Sequence, residues 1–301
     1  MTTLGRISRR SFVTGLGSLA LGHADSAWTA EGGAPFLVIG DWDTGSTGQK
    51  RLARQMGRVA EAVGARFVIS TGDNFYPRGV ESEDDKQWKW SYEDVYQAPS
   101  LRVPWYAVLG NHDHRGNVAA QINYSKQSPR WRMPAPYYRH TEVLGEGATA
   151  DFFFIDTDPI RRQYQRWAGR LVANRQIAWL KQELADSTAR WKIVVGHHPV
   201  FSGEAGKSTP ALRKWLRPLL EKYRVQAYLN GHSHTLEHIA VGGVHHLTSG
   251  AGASPRRSKA TPNTRFLMQG QHGFLVVRLA PRFMDVDFRN AAGKSLYQTR
   301  I

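Results

Sequence analysis

Five short segments of this 301-residue chain carry side chains of the kind that hold cations: Gly40-Asp41-Trp42, Gly72-Asp73-Asn74-Phe75-Tyr76, Gly110-Asn111-His112-Asp113, Gly196-His197-His198-Pro199 and Gly231-His232-Ser233-His234. The chain has no cysteine and twelve histidines. Disulfides and thiolate ligands are therefore absent, and any metal must be held by oxygen and imidazole donors. Taken singly, these residues say little, because an Asp after a glycine commonly caps a turn or a helix. The ordered set says more, since each member stands where an apolar run stops.

The apolar runs are strand-like: Phe36 to Ile39, Phe67 to Ile69, Val103 to Leu109, Ile193 to Val195 and Gln226 to Leu229. Helical spacing predicts helices over Thr47 to Val63, Asn117 to Gln127, Asn174 to Ser187 and Pro210 to Lys222. Further strands are expected at Ala150 to Ile155, Gly243 to Thr248, Gly273 to Leu279 and Met284 to Phe288. This mixed alternation argues an α/β sandwich, two mixed β-sheets packed face to face and flanked by helices. Ligands gather at the carboxyl ends of strands in such sheets, so five strand ends converge on one site. Two polar loops, 78–89 and 251–263, are longer than a connection requires, and either rim the site or are plain surface excursions.

A formal charge of +15 suits anionic substrates, nucleic acid or anionic lipid. The basic residues are scattered, without the heptads or zinc-finger spacing of a nucleic-acid module. At the amino end, Arg9-Arg10 precede a short apolar stretch from Val13 to Leu21 and small residues at Ala24, Ser26 and Ala27. This resembles a twin-arginine export signal over residues 1–30, with an ordinary secretory signal or an unstructured arm as alternatives. The stretch is far short of the ~20 apolar residues that span a bilayer. The expectation is a soluble, monomeric protein, periplasmic or secreted, with one catalytic domain over residues 31–301.

The donor series resembles the metallophosphoesterase fingerprint, and Gly72-Asp-Asn-Phe-Tyr76 resembles the purple acid phosphatases of the small tartrate-resistant type. The similarity extends to Tyr92-Glu-Asp-Val95, Gly116-Asn-Val-Ala119, Pro136-Tyr-Tyr138, Ser249-Gly-Ala-Gly252 and Gly293-Lys-Ser-Leu296. The resemblance implies a four-layer fold and two metals. Asp41, Tyr76 and His234 would hold ferric iron, and Asn111, His197 and His232 would hold ferrous iron, zinc or manganese. Asp73 would bridge them. It also implies hydrolysis of small phosphate monoesters by a hydroxide that the two metals activate, at acid pH, and a visible colour from phenolate on iron. His112 would stabilise the transition state or protonate the leaving alkoxide, which a charged imidazole does best in acid.

Three positions depart from the resembled pattern. Asp43 replaces a usual glycine, and either serves a turn or bonds a ligand histidine; Ser233 replaces a usual aspartate. His198 replaces a usual tyrosine, and either packs or faces substrate. The short, arginine-rich segment 158–174 and the lack of cysteine put regulation by loop proteolysis in doubt. Two alternatives stay open: a phosphodiesterase on nucleotides or glycerophosphodiesters, and a polyanion-binding module with an inactive site.

Overall fold

The computed structural model describes residues 33–162 and 167–301, so the twin-arginine segment lies outside the described residues. The strands are β1 (Ala34–Ile39), β2 (Phe67–Ser70), β3 (Trp105–Ala107), β4 (Trp131–Arg132), β5 (Tyr138–Gly145), β6 (Ala148–Phe154), β7 (Trp191–Val195) and β8 (Ala227–Asn230). They continue with β9 (Leu236–Val241), β10 (Val244–Ser249), β11 (Thr264–Met268), β12 (Gly273–Leu279), β13 (Met284–Asn290) and β14 (Ser295–Arg300). The helices are α1 (Thr47–Val63), α2 (Val118–Tyr124), α3 (Thr157–Arg162), α4 (Trp167–Asp186), α5 (Pro210–Trp215) and α6 (Arg217–Lys222).

The strands form two sheets of seven, ordered β14-β13-β12-β1-β2-β3-β4 and β11-β9-β10-β8-β7-β6-β5. At the centre of the first, β1 runs parallel to β2 and β2 to β3. In the second, β6, β7, β8 and β10 run parallel in turn. The expected sandwich of two mixed sheets is what the chain forms.

Strand alternation explains the layers. On β6, Phe152 and Phe154 enter the core between the sheets, where Phe152 meets the rings of Phe36 and Phe67 edge-on at 5.6 and 5.7 Å. Phe153 points the other way, into a second cluster with Leu180, Leu184, Leu212, Leu216 and Leu220 from the helices. Each such buried ring contributes about 2 kcal/mol. Helix α1 starts at Ser46, whose side chain accepts the Gln49 N–H, and stops at left-handed Gly64. Its buried face carries Leu52, Met56, Val59 and Val63 at helical spacing.

Two expectations are corrected. The single helix over Pro210 to Lys222 is two, broken at Leu216, because Pro218 has no N–H to carry the ladder on and its ring crowds the preceding turn. Helix α4 begins at Trp167, well before Asn174; Leu171 and Val172 near its start face solvent, which blurred the apolar spacing. Strands β4, β5, β9, β11 and β14 were not expected; β5 and β14 are sheet edges with exposed residues along their length.

Candidate active site

The carboxyl ends of β1, β2, β7 and β8 meet on one rim, joined by backbone. Asp41 N donates to Gly72 O at 2.9 Å, and Gly231 N to His197 O at 3.0 Å. Side chains cross between the sheets: His197 Nδ1 donates to Thr71 O at 2.9 Å, and His232 N donates to Asp41 Oδ2 at 2.9 Å. The glycines ahead of the donors make room for this. A Cβ on Gly231 would stand 2.5 Å from Asp41 Oδ2, and one on Gly110 would collide with the backbone and carboxylate of Asp73.

Asp41, Asp73 and His232 have left-handed backbones, with φ of 54, 50 and 65°. Three non-glycine residues in that region, each at a strand end, form a concentration of strain of the sort found at functional sites.

The side-chain atoms then crowd. The Tyr76 hydroxyl lies 3.1 Å from Asp41 Oδ1, 3.1 Å from Asp73 Oδ2 and 3.4 Å from His234 Nε2. His234 Nε2 is 3.3 Å from Asp41 Oδ1. His197 Nε2 is 3.3 Å from both Asp73 Oδ2 and Asn111 Oδ1. The His197 and His232 rings stand 5.0 Å apart. Asp73 Oδ2 therefore faces Tyr76 on one side and His197 on the other, the position of a bridge. All seven expected donors come together.

Without a cation, this cluster must carry extra protons. The Tyr76 phenol has one hydrogen and two carboxylates to serve. His197 Nδ1 and His234 Nδ1 each face a carbonyl, Thr71 O and Ser254 O, so both carry hydrogen, and a neutral ring turns a lone pair toward acceptors. Donors around a cation at about 2.1 Å are spaced by about 3 Å, close to the spacing here. A shared cation resolves the crowding, and the donor set fits one: phenolate and carboxylates on one side, imidazoles and an amide on the other. Two groups of carboxylate and imidazole residues have the required closeness, Asp41 with Asp73 and His197, and His197 with His198 and His232.

The electrostatics follow from burial. Burial would raise the Asp73 carboxyl, but the His197 charge and the His112 N–H hold it well below its usual range. Burial would depress His197, and Asp73 overrides it, lifting the imidazole to about 9. Burial, then Asp41 and Asp73, push the Tyr76 phenol far above its usual range. Burial and the charges of His197 and Lys207 keep His232 neutral. A cation would reverse the Tyr76 shift and displace the His197 proton.

Around these atoms the protein places several groups. His112 Nδ1 donates to Pro77 O at 2.7 Å, and its ring stands 4.4 Å from that of Tyr76. Asp113 does not join the donors. It turns inward to accept from the N–H groups of Gly110 (2.8 Å), Asn74 (3.1 Å) and Phe75 (3.3 Å), locking the two donor loops together. Asp43 does not touch a histidine; its Oδ2 accepts from Tyr76 N at 3.3 Å and steadies the loop. Ser233 is buried, 2.7 Å from Ser202 Oγ. Both long loops rim the site: Gly79 N donates to His112 O at 2.9 Å, and Arg256 N to His234 O at 2.8 Å.

Some neighbours had no sequence signal. Glu204 Oε2 accepts from His234 N at 3.0 Å, Lys207 Nζ lies 3.3 Å from His232 Nε2, and His114 Nε2 pairs with Asp156 at 2.8 Å. Only the last could have been sought, as a fourth polar residue in Asn111-His-Asp-His114.

The family model for the calcineurin-like phosphoesterases matches residues 34–236. The tartrate-resistant acid phosphatase type 5 of Oryctolagus cuniculus is 39% identical over 90% of this chain and 93% of its own length. The chain belongs to the calcineurin-like phosphoesterases, among the tartrate-resistant and purple acid phosphatases. Purple acid phosphatase 4 of Arabidopsis thaliana is another relative of this phosphatase, 38% identical over 89% of this chain and 83% of its own. Among solved structures, GAP50, described as the anchor in the inner membrane complex of Plasmodium, superposes with a TM-score of 0.82. It is 27% identical to this phosphatase and covers 89% of this chain and 88% of its own. That likeness to an anchor puts the weight of any functional reading on the donor atoms and not on the fold.

Proposed function

We propose that this protein hydrolyses small phosphate monoesters at acid pH with two cations. Asp41, Tyr76 and His234 hold ferric iron, Asn111, His197 and His232 hold a divalent ion, and Asp73 serves both. The observation that carries the reading is the Tyr76 hydroxyl, 3.1 Å from each of two carboxylates with one proton between them. When bound, the cations supply the positive charge that neutralises phosphoryl oxygens and acidifies water.

The chain's own residues do the rest. Asp73 keeps the two halves of the site at one spacing, and the His112 N–H, 2.7 Å from Asp73 Oδ1, fixes that carboxylate's rotation. In its charged form His112 has one proton committed at Nδ1 by Pro77 O, so the second, on Nε2, is the one that passes to the departing alkoxide and leaves a neutral ring. The dispersed positive surface draws the anionic substrate in.

Elemental analysis of the purified protein should give two metals per chain with absorbance in the green. Turnover of p-nitrophenyl phosphate should exceed that of the bis-ester, and Asp73→Asn should abolish it. A metal-free protein, or hydrolysis that survives Asp73→Asn, would overturn the reading. The Arg9-Arg10 pair supports export by the twin-arginine route to the periplasm or beyond. Replacing both by lysine should strand the folded protein in the cytoplasm; unaltered export would remove that part of the proposal.

A further inference from the structure

His198 follows a donor in sequence, yet nothing in the two-cation reading uses it. Its ring is completely buried. Nδ1 lies 2.8 Å from the Thr157 hydroxyl, which also accepts the His198 backbone N–H at 3.0 Å. Nε2 has no hydrogen-bond partner. The ring centroid stands 4.5 Å from that of His232 and 4.9 Å from that of His197, and the three residues offer nitrogens within 4.8 Å of one another.

An imidazole used only for packing would be a poor choice here. An unsatisfied buried polar atom costs about 1–3 kcal/mol, and an apolar ring would avoid that. The geometry instead repeats that of the expected donors. His197 and His234 each set Nδ1 on a protein oxygen and keep Nε2 for the cluster, and His198 likewise sets Nδ1 on Thr157 Oγ1 and leaves Nε2 without a protein partner. An outer hydrogen bond of this type orients metal-binding imidazoles and raises their basicity. The Thr157 oxygen has two lone pairs, enough to accept both His198 N–H groups.

We propose that His198 Nε2 is a third imidazole donor to the divalent ion held by Asn111, His197 and His232, and that it biases this site toward zinc or ferrous iron over manganese. The inference rests on the two-cation reading. Three imidazoles on one ion at about 2.1 Å require nitrogens that lie within 4.8 Å of one another to close to about 3 Å. Imidazole-rich sites suit zinc and iron, whereas manganese favours oxygen. The Lys207 ammonium beside His232 opposes a cation there, and another neutral nitrogen offsets part of that repulsion.

The test is metal affinity, measured on metal-free protein by chelator competition with Zn(II), Fe(II) and Mn(II). His198→Phe keeps a ring against His197 and His232 and removes the nitrogen. It should weaken Zn(II) and Fe(II) at one of two sites by at least about tenfold and Mn(II) much less, so the preference over Mn(II) narrows. In the wild-type chain with Cu(II) in the divalent site, hyperfine couplings should count three imidazole nitrogens, a readout independent of whether the variant folds. Two nitrogens, or a folded His198→Phe with unchanged affinities, would overturn the inference and leave the two-cation reading intact. A wild-type chain that binds no metal would overturn both.

Discussion

The backbone N–H of His232 donates to Asp41 Oδ2 at 2.9 Å, a bond between residues 191 positions apart that ties the end of β8 to the end of β1. The site is thus assembled across two sheets, and each donor's position depends on the packing of both.

Tyr76 is the donor whose loss is easiest to see. Tyr76→Phe keeps the ring against His112 and removes the oxygen from between Asp41 and Asp73. The visible absorbance should vanish while the melting temperature stays within a few degrees, and kcat should fall by about 10- to 100-fold, as for loss of one electrostatic contact. Spectra and steady-state kinetics on the same preparation check this.

Asp113 acts on the donors through the backbone. Asp113→Asn leaves one acceptor oxygen for three N–H groups and points an amide at the others. The expected loss is about 1–3 kcal/mol of stability by denaturant unfolding. Metal content should drop with it, because Asn111 and Asp73 sit on the loops that Asp113 joins.

Gly110 is needed for space. Gly110→Ala drives a methyl group into the backbone and carboxylate of Asp73. It should therefore lower both thermal stability and metal stoichiometry, whereas Gly64→Ala, with open space around its Cβ, should strain only its own left-handed backbone and leave the metals in place.

Glu237, buried on β9, gives a pH dependence from a group outside the donor set. Burial pushes its carboxyl from 4.5 up to about 7. The folded state holds a proton that the unfolded state releases, so this group's contribution is intact below 4.5 and is lost as pH rises through about 7. The span corresponds to about 3 kcal/mol. Burial of His246 and His238 acts oppositely: their imidazoles fall to about 3 and about 4, so they destabilise the fold as pH drops below 6.5. Glu237→Gln isolates the first effect, and unfolding between pH 4.5 and 7 should lose its downward slope relative to the parent.

The donors were legible because each is a polar residue at the end of an apolar run, a signal that survives in one dimension. Asp41, Asp73, Asn111, His197 and His232 were found that way, and the resemblance sorted them by metal. Asp113 looked like a donor for the same reason, and only the inward turn of its carboxylate shows otherwise. Glu204 and Lys207 lie in a loop with no periodicity, and what brings them to His234 and His232 is tertiary packing. Helix α1 was read to both ends because its cap and its left-handed glycine are local; β14 escaped because it is an exposed edge.

Asp41, Asp73 and His232 share a backbone conformation that β-branched residues resist, and the folded sheets hold it at a cost of about 1 kcal/mol or more at each position. Their side chains are thereby aimed before any ion arrives. Loading then calls for side chains to close on the ion without a change in these backbone torsions. It also narrows the residues these corners tolerate: a longer Glu at Asp41 or Asp73 would be misdirected by its extra methylene and disfavoured by the torsion beneath it.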